Sequence, residues 1–227
     1  MTFDKNWDLN IYKKKKQINQ YPYDLVVSFV NRYFKKETLK KQKKKVLDLG
    51  CGTGNNLKFL CEFGFSKIYG IEGSEVAVKI AKKFLKKNKN CKIMLGDFKK
   101  LKIINNSIDL CIDRGSITHN DINSIKKSLS EVKRVLRPGG LFLSVIFSQA
   151  HSSYKKSKKF KNYSLSFSKE ASIKNGLVTN FFSKNGILNI YKDFKILSLV
   201  HDQKYDVLKK NKSAMWQVVL KKKNEKK

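Results

Sequence analysis

The sequence predicts an α/β fold, a mostly parallel sheet with helices on both faces. Three observations carry this. Apolar runs of strand length alternate with amphipathic helical stripes from Lys45 to Phe147, a rhythm that builds parallel strands joined by right-handed crossovers. A strand, a glycine-rich turn and a helix start follow one another over residues 45–56. Finally, 227 residues at 41% hydrophobic content suffice for one domain with a large core. The expected organisation is a single domain over 1–227. Residues 1–44 form an N-terminal arm and cover helix, 45–147 the core, and 148–227 a substrate-side insertion and the last strands.

The arm carries Phe3, Trp7, Leu9 and Tyr12 among polar residues. Pro22 suits a helix start, and Leu25, Val26, Phe29, Val30 and Tyr33 follow at amphipathic spacing. Val46, Leu47 and Leu49 read as a strand buried on both faces. Gly50, Gly52 and Gly54 allow a tight turn, and Leu57, Phe59, Leu60 and Phe63 give a helix that stops at Gly64. Lys67 to Glu72 is the second strand. Ser74 caps the next helix, whose buried stripe is Val76, Ala77, Ile80, Ala81, Phe84 and Leu85. Cys91 to Leu95 and Ile108 to Ile112 are the third and fourth strands. A helix over about Ile122 to Leu136 stops at Arg137-Pro138-Gly139-Gly140, and Leu141 to Phe147 is the fifth strand. Residues 148–180 are polar and weakly periodic. Ser183 caps a helix through Tyr191, and Phe194–Val200 and Trp216–Leu220 are the last strands.

Fifty Lys and Arg against 18 Asp and Glu give a formal charge of +32. The lysine clusters 13–16, 35–45, 82–89, 155–161 and 221–227 fall on exposed helix faces or termini and read as solvated surface. The alternative is a weak anionic partner, RNA or a membrane surface. No stretch approaches the ~18–20 apolar residues of a membrane span, and no signal-peptide core opens the chain. Cys51, Cys61, Cys91 and Cys111 are widely spaced without a C-x-x-C pair, so buried free thiols in a cytoplasmic protein are expected, not a metal or disulfides.

The glycine corner also narrows the ligand. Dinucleotide-binding turns run Gly-x-Gly-x-x-Gly, with the helix dipole on a pyrophosphate. Here the order is Gly50-x-Gly52-x-Gly54, and Asn55 stands where a third glycine belongs. Asp48 just before the turn opposes a pyrophosphate and suits a cationic ligand. With these residues the stretch resembles the first motif of class I S-adenosylmethionine-dependent methyltransferases. Motif order extends the resemblance over about residues 22–147, and to the C-terminal strands by order alone. It implies a Rossmann-like, seven-stranded, mostly parallel sheet with an antiparallel C-terminal edge strand, and S-adenosylmethionine as cofactor. It also implies that Asp48 and the Gly50, Cys51, Gly52, Gly54 loop hold the methionine portion. Glu72 takes the ribose hydroxyls, Asp97 and Phe98 attend the adenine, and Asp113 lies next to the transferable methyl group.

Asp113-Arg114-Gly115-Ser116 is not the Asn/Asp-Pro-Pro-Tyr run of enzymes methylating base or amide nitrogens. Together with Tyr21-Pro22-Tyr23-Asp24 it resembles methyltransferases encoded with glycan-biosynthesis enzymes, which implies a small-molecule or sugar acceptor, methylated at oxygen. Asp113 and His119 are the expected catalytic residues; the alternatives are a loop-stabilising carboxylate paired with Arg114 and a histidine that ends the loop or caps the following helix. His119 is preferred as base because an unperturbed imidazole titrates near about 6.5, and His151 after the fifth strand is a further candidate. Trp7, Tyr12, Tyr21 and Tyr23 read as arm residues docked on the core, with a lid over the ligand as the alternative. Two other functional readings stand beside this one: an RNA methyltransferase, suggested by charge, and a catalytically silent S-adenosylmethionine-binding subunit. The sequence carries no signal for oligomeric state.

Overall fold

The computed structural model describes residues 4–14, 18–35, 43–161, 164–166 and 177–224. Phe3, most of lysine cluster 35–45, parts of clusters 13–16 and 221–227, and residues 162–163 and 167–176 of the polar insertion lie outside them.

A helical turn over Trp7–Tyr12 precedes α1 (Asp24–Phe34). The core then runs β1 (Lys45–Leu49), α2 (Asn55–Phe63), β2 (Lys67–Glu72), α3 (Glu75–Phe84), β3 (Cys91–Leu95), β4 (Ile108–Arg114), α4 (Ile122–Val135) and β5 (Leu136–Phe147). It is followed by α5 (Ser152–Lys156), β6 (Lys158–Lys159), β7 (Ser164–Ser166), β8 (Leu177–Thr179), α6 (Lys184–Ile190), β9 (Phe194–Asp206) and β10 (Asn211–Lys222).

Among the described residues, seven strands form one sheet in the order β3-β2-β1-β4-β5-β10-β9. The first five are parallel, and β10 runs antiparallel to both its neighbours. The chain winds outward from β1 to β3, then crosses to β4 on the other side of β1. Such a reversal in an open sheet leaves a crevice at the carboxyl ends of the strands. The seven-stranded, mostly parallel arrangement is the one the sequence predicted.

Strand alternation sorts the core into two layers. Val46, Leu110 and Ile112 face α1, α2 and α3, meeting Phe29, Leu57, Leu60 and Ala81. Leu47, Leu49 and Cys111 face α4 and α6, meeting Ile125, Leu129, Val132 and Ile187. Each fully buried aliphatic side chain of this kind contributes about 1.5–3 kcal/mol. The helix ends follow their local chemistry. Ser74 Oγ accepts the Ala77 N–H at 2.9 Å, Ser183 Oγ accepts the Gly186 N–H at 3.1 Å, and Gly64 closes α2 at φ 103°.

Three expectations change. β5 starts at Leu136, not Leu141: Leu136 pairs with Ile108, and the next pair is Leu141 with Leu110. Arg137 to Gly140 therefore form a bulge, where Pro138 has no ladder N–H to supply. β9 and β10 extend well past Val200 and Trp216 as a hairpin of solvated residues, whose ladder is held by backbone and leaves no alternation to read. The polar insertion holds α5 and a small antiparallel sheet of β6, β7 and β8. The four cysteines are free, but only Cys51 and Cys111 are buried; Cys61 and Cys91 are half-buried.

Candidate active site

A cleft of about 500 Å³ opens over the carboxyl ends of the parallel strands. The β1–α2 turn forms its floor. Gly50 (φ +74°) lies flush against the loop after β4: a Cβ there would sit 2.0 Å from Ser116 Oγ and 2.3 Å from Ser116 Cβ. Gly54 (φ +92°) then leads into α2, whose first-turn N–H groups have no partner within the helix. Thr53, Asn55 and Asn56 line the cleft there. Asn55 Nδ2 donates to the Tyr21 carbonyl at 2.9 Å, so the side chain that replaces the third glycine of a dinucleotide turn anchors the N-terminal arm.

Glu72 ends β2 at the cleft wall. One carboxylate oxygen accepts the Gly52 N–H at 2.9 Å and the other the Ser74 N–H at 2.9 Å. Burial raises its pKa, against the lowering effect of these amides. Each oxygen keeps a further lone pair for a hydroxyl group. Asp97 and Phe98 line the same end of the cleft. Asp97 also builds its own turn, accepting the Lys99 N–H at 3.0 Å.

Asp48 lies beneath the turn and does not line the cleft. Its Oδ2 is a buried oxygen without a hydrogen-bond partner. Desolvation, reinforced by Asp113 and Glu72, pushes its pKa up to about 8. A buried acid at the head of a glycine turn, held back from ionising, is stabilised by a cation placed above it. Open amides at the helix start, a diol-competent Glu72 and this acid together fit S-adenosylmethionine.

Asp113 is a correction. Its Oδ1 accepts the Ser116 and Ile117 N–H groups at 2.8 and 3.1 Å, and its Oδ2 accepts the Ser144 hydroxyl at 2.9 Å. It is fully buried, does not reach the cleft, and shapes the loop after β4, so the catalytic and cofactor-contacting roles expected of it fall away. Burial pushes its pKa up to about 6. His151 is likewise outside the cleft: its Nδ1 accepts the Ser153 N–H at 3.0 Å and caps α5.

His119 does line the cleft, packed edge-on against Trp7 at 4.9 Å and Phe147 at 5.4 Å between ring centroids. Desolvation lowers its pKa to about 4, so the argument from an unperturbed imidazole does not hold. Its Nδ1 lies 3.2 Å from Thr179 Oγ1, and the ring also hydrogen-bonds the Val178 backbone.

The arm closes one side. Trp7, Tyr12 and Tyr23 line the cleft, whereas Tyr21 is 78% exposed. Thr53 Oγ1 donates to the Asn19 carbonyl at 3.2 Å, Tyr23 N–H donates to Asn56 Oδ1 at 3.2 Å, and Asp8 hydrogen-bonds Ser74. These contacts fasten the cover to the cofactor turn.

Sequence reasoning placed Arg114 in the run beside the methyl group without giving it a role, and missed Asp4, Asn19, Asn120, Phe147 and Met215 as lining residues. Arg114 had a usable signal: it directly follows Asp113, and side chains alternate along a strand. Met215 had none, because it arrives from β10, far along the chain. His201, outside the cleft, stacks on Trp216 at 4.0 Å and bonds Ser148 Oγ at 2.8 Å.

The sheet order and the crevice at its carboxyl edge give the fold of class I methyltransferases. Residues 47–144 match the family model described as a methyltransferase domain. The chain is 38% identical over 106 residues to EEF1A lysine methyltransferase 2 of Homo sapiens, a match covering 43% of this chain and 45% of that protein. It is 33% identical over 101 residues to sterol 24-C-methyltransferase ERG6B of Gibberella zeae, covering 43% and 26% respectively. The chain thus spans less than half the length of these relatives. Its fold is similar to that of an S-adenosylmethionine-dependent methyltransferase from Methanosarcina mazei, with a TM-score of 0.72 at 18% identity over 90% of this chain and 100% of that one. It is also similar to the PH0226 protein of Pyrococcus horikoshii, with a TM-score of 0.64 at 21% identity over 94% and 99%. Residues 47–144 thus carry the pattern of a methyltransferase domain on the fold of S-adenosylmethionine-dependent methyltransferases, which implies S-adenosylmethionine as the cofactor.

Proposed function

We propose that this chain is an enzyme transferring a methyl group from S-adenosylmethionine to a small-molecule acceptor, a sugar or related polar metabolite, at oxygen. The observation that supports this best is the lining of this cleft. Beside Glu72, Asp97 and the glycine turn it is lined by Trp7, Arg114, His119, Asn120 and Phe147. Ring faces beside a few polar groups suit a small polar molecule. When bound, S-adenosylmethionine supplies an electrophilic methyl group.

The chain's own contribution is alignment, which is worth up to about 7–11 kcal/mol of barrier. Glu72, Asp97, Phe98 and the Gly50, Cys51, Gly52 and Gly54 loop hold the cofactor, and the buried Asp48 beneath the turn supplies negative potential to its cationic end. His119 is neutral at physiological pH and lies beside the acceptor, where its imidazole orients the nucleophile's O–H, while the proton leaves to solvent. The free thiols accord with a cytoplasmic location.

The relatives' acceptors are a protein lysine and a sterol, so the test is open-ended. Labelled S-adenosylmethionine is supplied with lysate fractions. Label in soluble metabolites is the expected result; label in RNA, protein or lipid would overturn the small-acceptor reading.

A further inference from the structure

Arg114 ends β4 and lines the cleft, with its guanidinium 3.8 Å above the Tyr23 ring. Arg134 and Arg137 are each paired, with Glu131 at 2.7 Å and Asp109 at 2.6 Å. Arg114 has no such partner: no carboxylate of the described residues lies within 4.0 Å of it. The adjacent Asp113 carboxylate is engaged by Ser116, Ile117 and Ser144.

The Tyr23 stack holds the guanidinium plane in place and leaves its N–H edges open. Beside it, a Cβ built on Gly115 would meet nothing within 4 Å, so there is space for a ligand group. Asp113 feels the charge of Arg114, and Asp4, Glu72 and Asp97 line the same cleft, but none of these carboxylates pairs with the guanidinium, whose N–H edges remain for an anionic ligand group. The cofactor's own carboxylate has other donors, the first-turn amides of α2 at Asn55 and Asn56.

We propose that Arg114 is the specificity-determining residue for the acceptor, and that the acceptor carries an anionic group, a carboxylate or phosphate, which the guanidinium grips. This rests on the small-acceptor reading above. A planar fork matches either anion bidentately, which a lysine does not.

The test has two parts. Inorganic phosphate is titrated at constant ionic strength into the S-adenosylhomocysteine complexes of wild type, Arg114→Gln and Arg114→Lys. One phosphate site weakened roughly 10- to 100-fold in Arg114→Gln, and less in Arg114→Lys, is expected. Equal phosphate binding in wild type and Arg114→Gln overturns the proposal. Binding of S-adenosylhomocysteine and of 5′-methylthioadenosine, which lacks the carboxylate, is compared in parallel. If Arg114→Gln weakens only the former, the guanidinium serves the cofactor and the proposal fails. In the labelling assay, the product must be retained by an anion exchanger at neutral pH and lost in Arg114→Gln. A labelled neutral or cationic metabolite overturns the anion proposal while leaving the small-acceptor reading standing. Label confined to macromolecules overturns both.

Discussion

Glu72 Oε2 accepts the Gly52 N–H at 2.9 Å, tying the end of the second strand to the turn after the first. One carboxylate thus shapes the glycine turn and also lines the cleft. Glu72→Ala should weaken S-adenosylhomocysteine binding by about 1–3 kcal/mol. Calorimetry checks this, and undiminished affinity would remove Glu72 from the cofactor site. No binding of NAD is expected, because Asn55 and Asp48 stand where a pyrophosphate needs glycine and positive potential.

Asp48 predicts an alkaline effect on stability. Its folded pKa of about 8 lies above the ordinary aspartate value, so the folded chain holds a proton that the unfolded chain has lost. Stability from this group is therefore present at low pH and falls as pH rises toward and through 8. Asp48→Asn removes that dependence. Denaturant titrations from pH 5 to 9 should show the variant gaining on wild type with rising pH, and parallel curves would contradict the assignment.

His119 shifts the other way. Its folded pKa of about 4 lies below its ordinary value of 6.5, so between those values the unfolded chain binds the extra proton. Its contribution to stability is complete above about pH 6.5 and declines as pH falls toward 4. Turnover should accordingly show no inflection near pH 6.5 from this residue. His119→Gln should slow turnover roughly 100-fold with cofactor affinity intact. Near-wild-type turnover would leave the histidine a wall residue only.

Gly50→Ala tests the close approach of the two loops. The added methyl meets Ser116 Cβ at 2.3 Å, and the backbone is at φ +74°, which costs a non-glycine residue about 1–2 kcal/mol by itself. A total destabilisation of about 2–4 kcal/mol in denaturant unfolding is expected. Gly115→Ala carries the backbone penalty without the clash, so it should cost visibly less.

Much of the fold was legible in the residues because it depends on local periodicity. Val46, Leu47 and Leu49 announce a buried strand, Gly64 a helix end and Ser74 a helix start, and each does in the structure what its chemistry requires. Residues just after successive parallel strands converge on one edge of the sheet, and Gly50, Cys51, Gly52, Glu72, Asp97 and Phe98 line one cleft for that reason.

What the sequence left undecided depends on depth and on distant partners. Asp113 and Arg114 are neighbours in the chain, yet strand alternation buries the first against Ser144 and turns the second into the cleft. No one-dimensional pattern says which acid will meet three donors. Nor does it say that Trp7, Phe147 and Thr179, each far from His119 along the chain, will enclose that imidazole and make it a poor proton binder. The sequence alone determined the sheet, its glycine turn and the residue types at the strand ends, because these follow from short-range periodicity and backbone sterics. Only the tertiary structure decided which of those residues reach the ligand and with what protonation, because burial and hydrogen-bond saturation are properties of the packed chain.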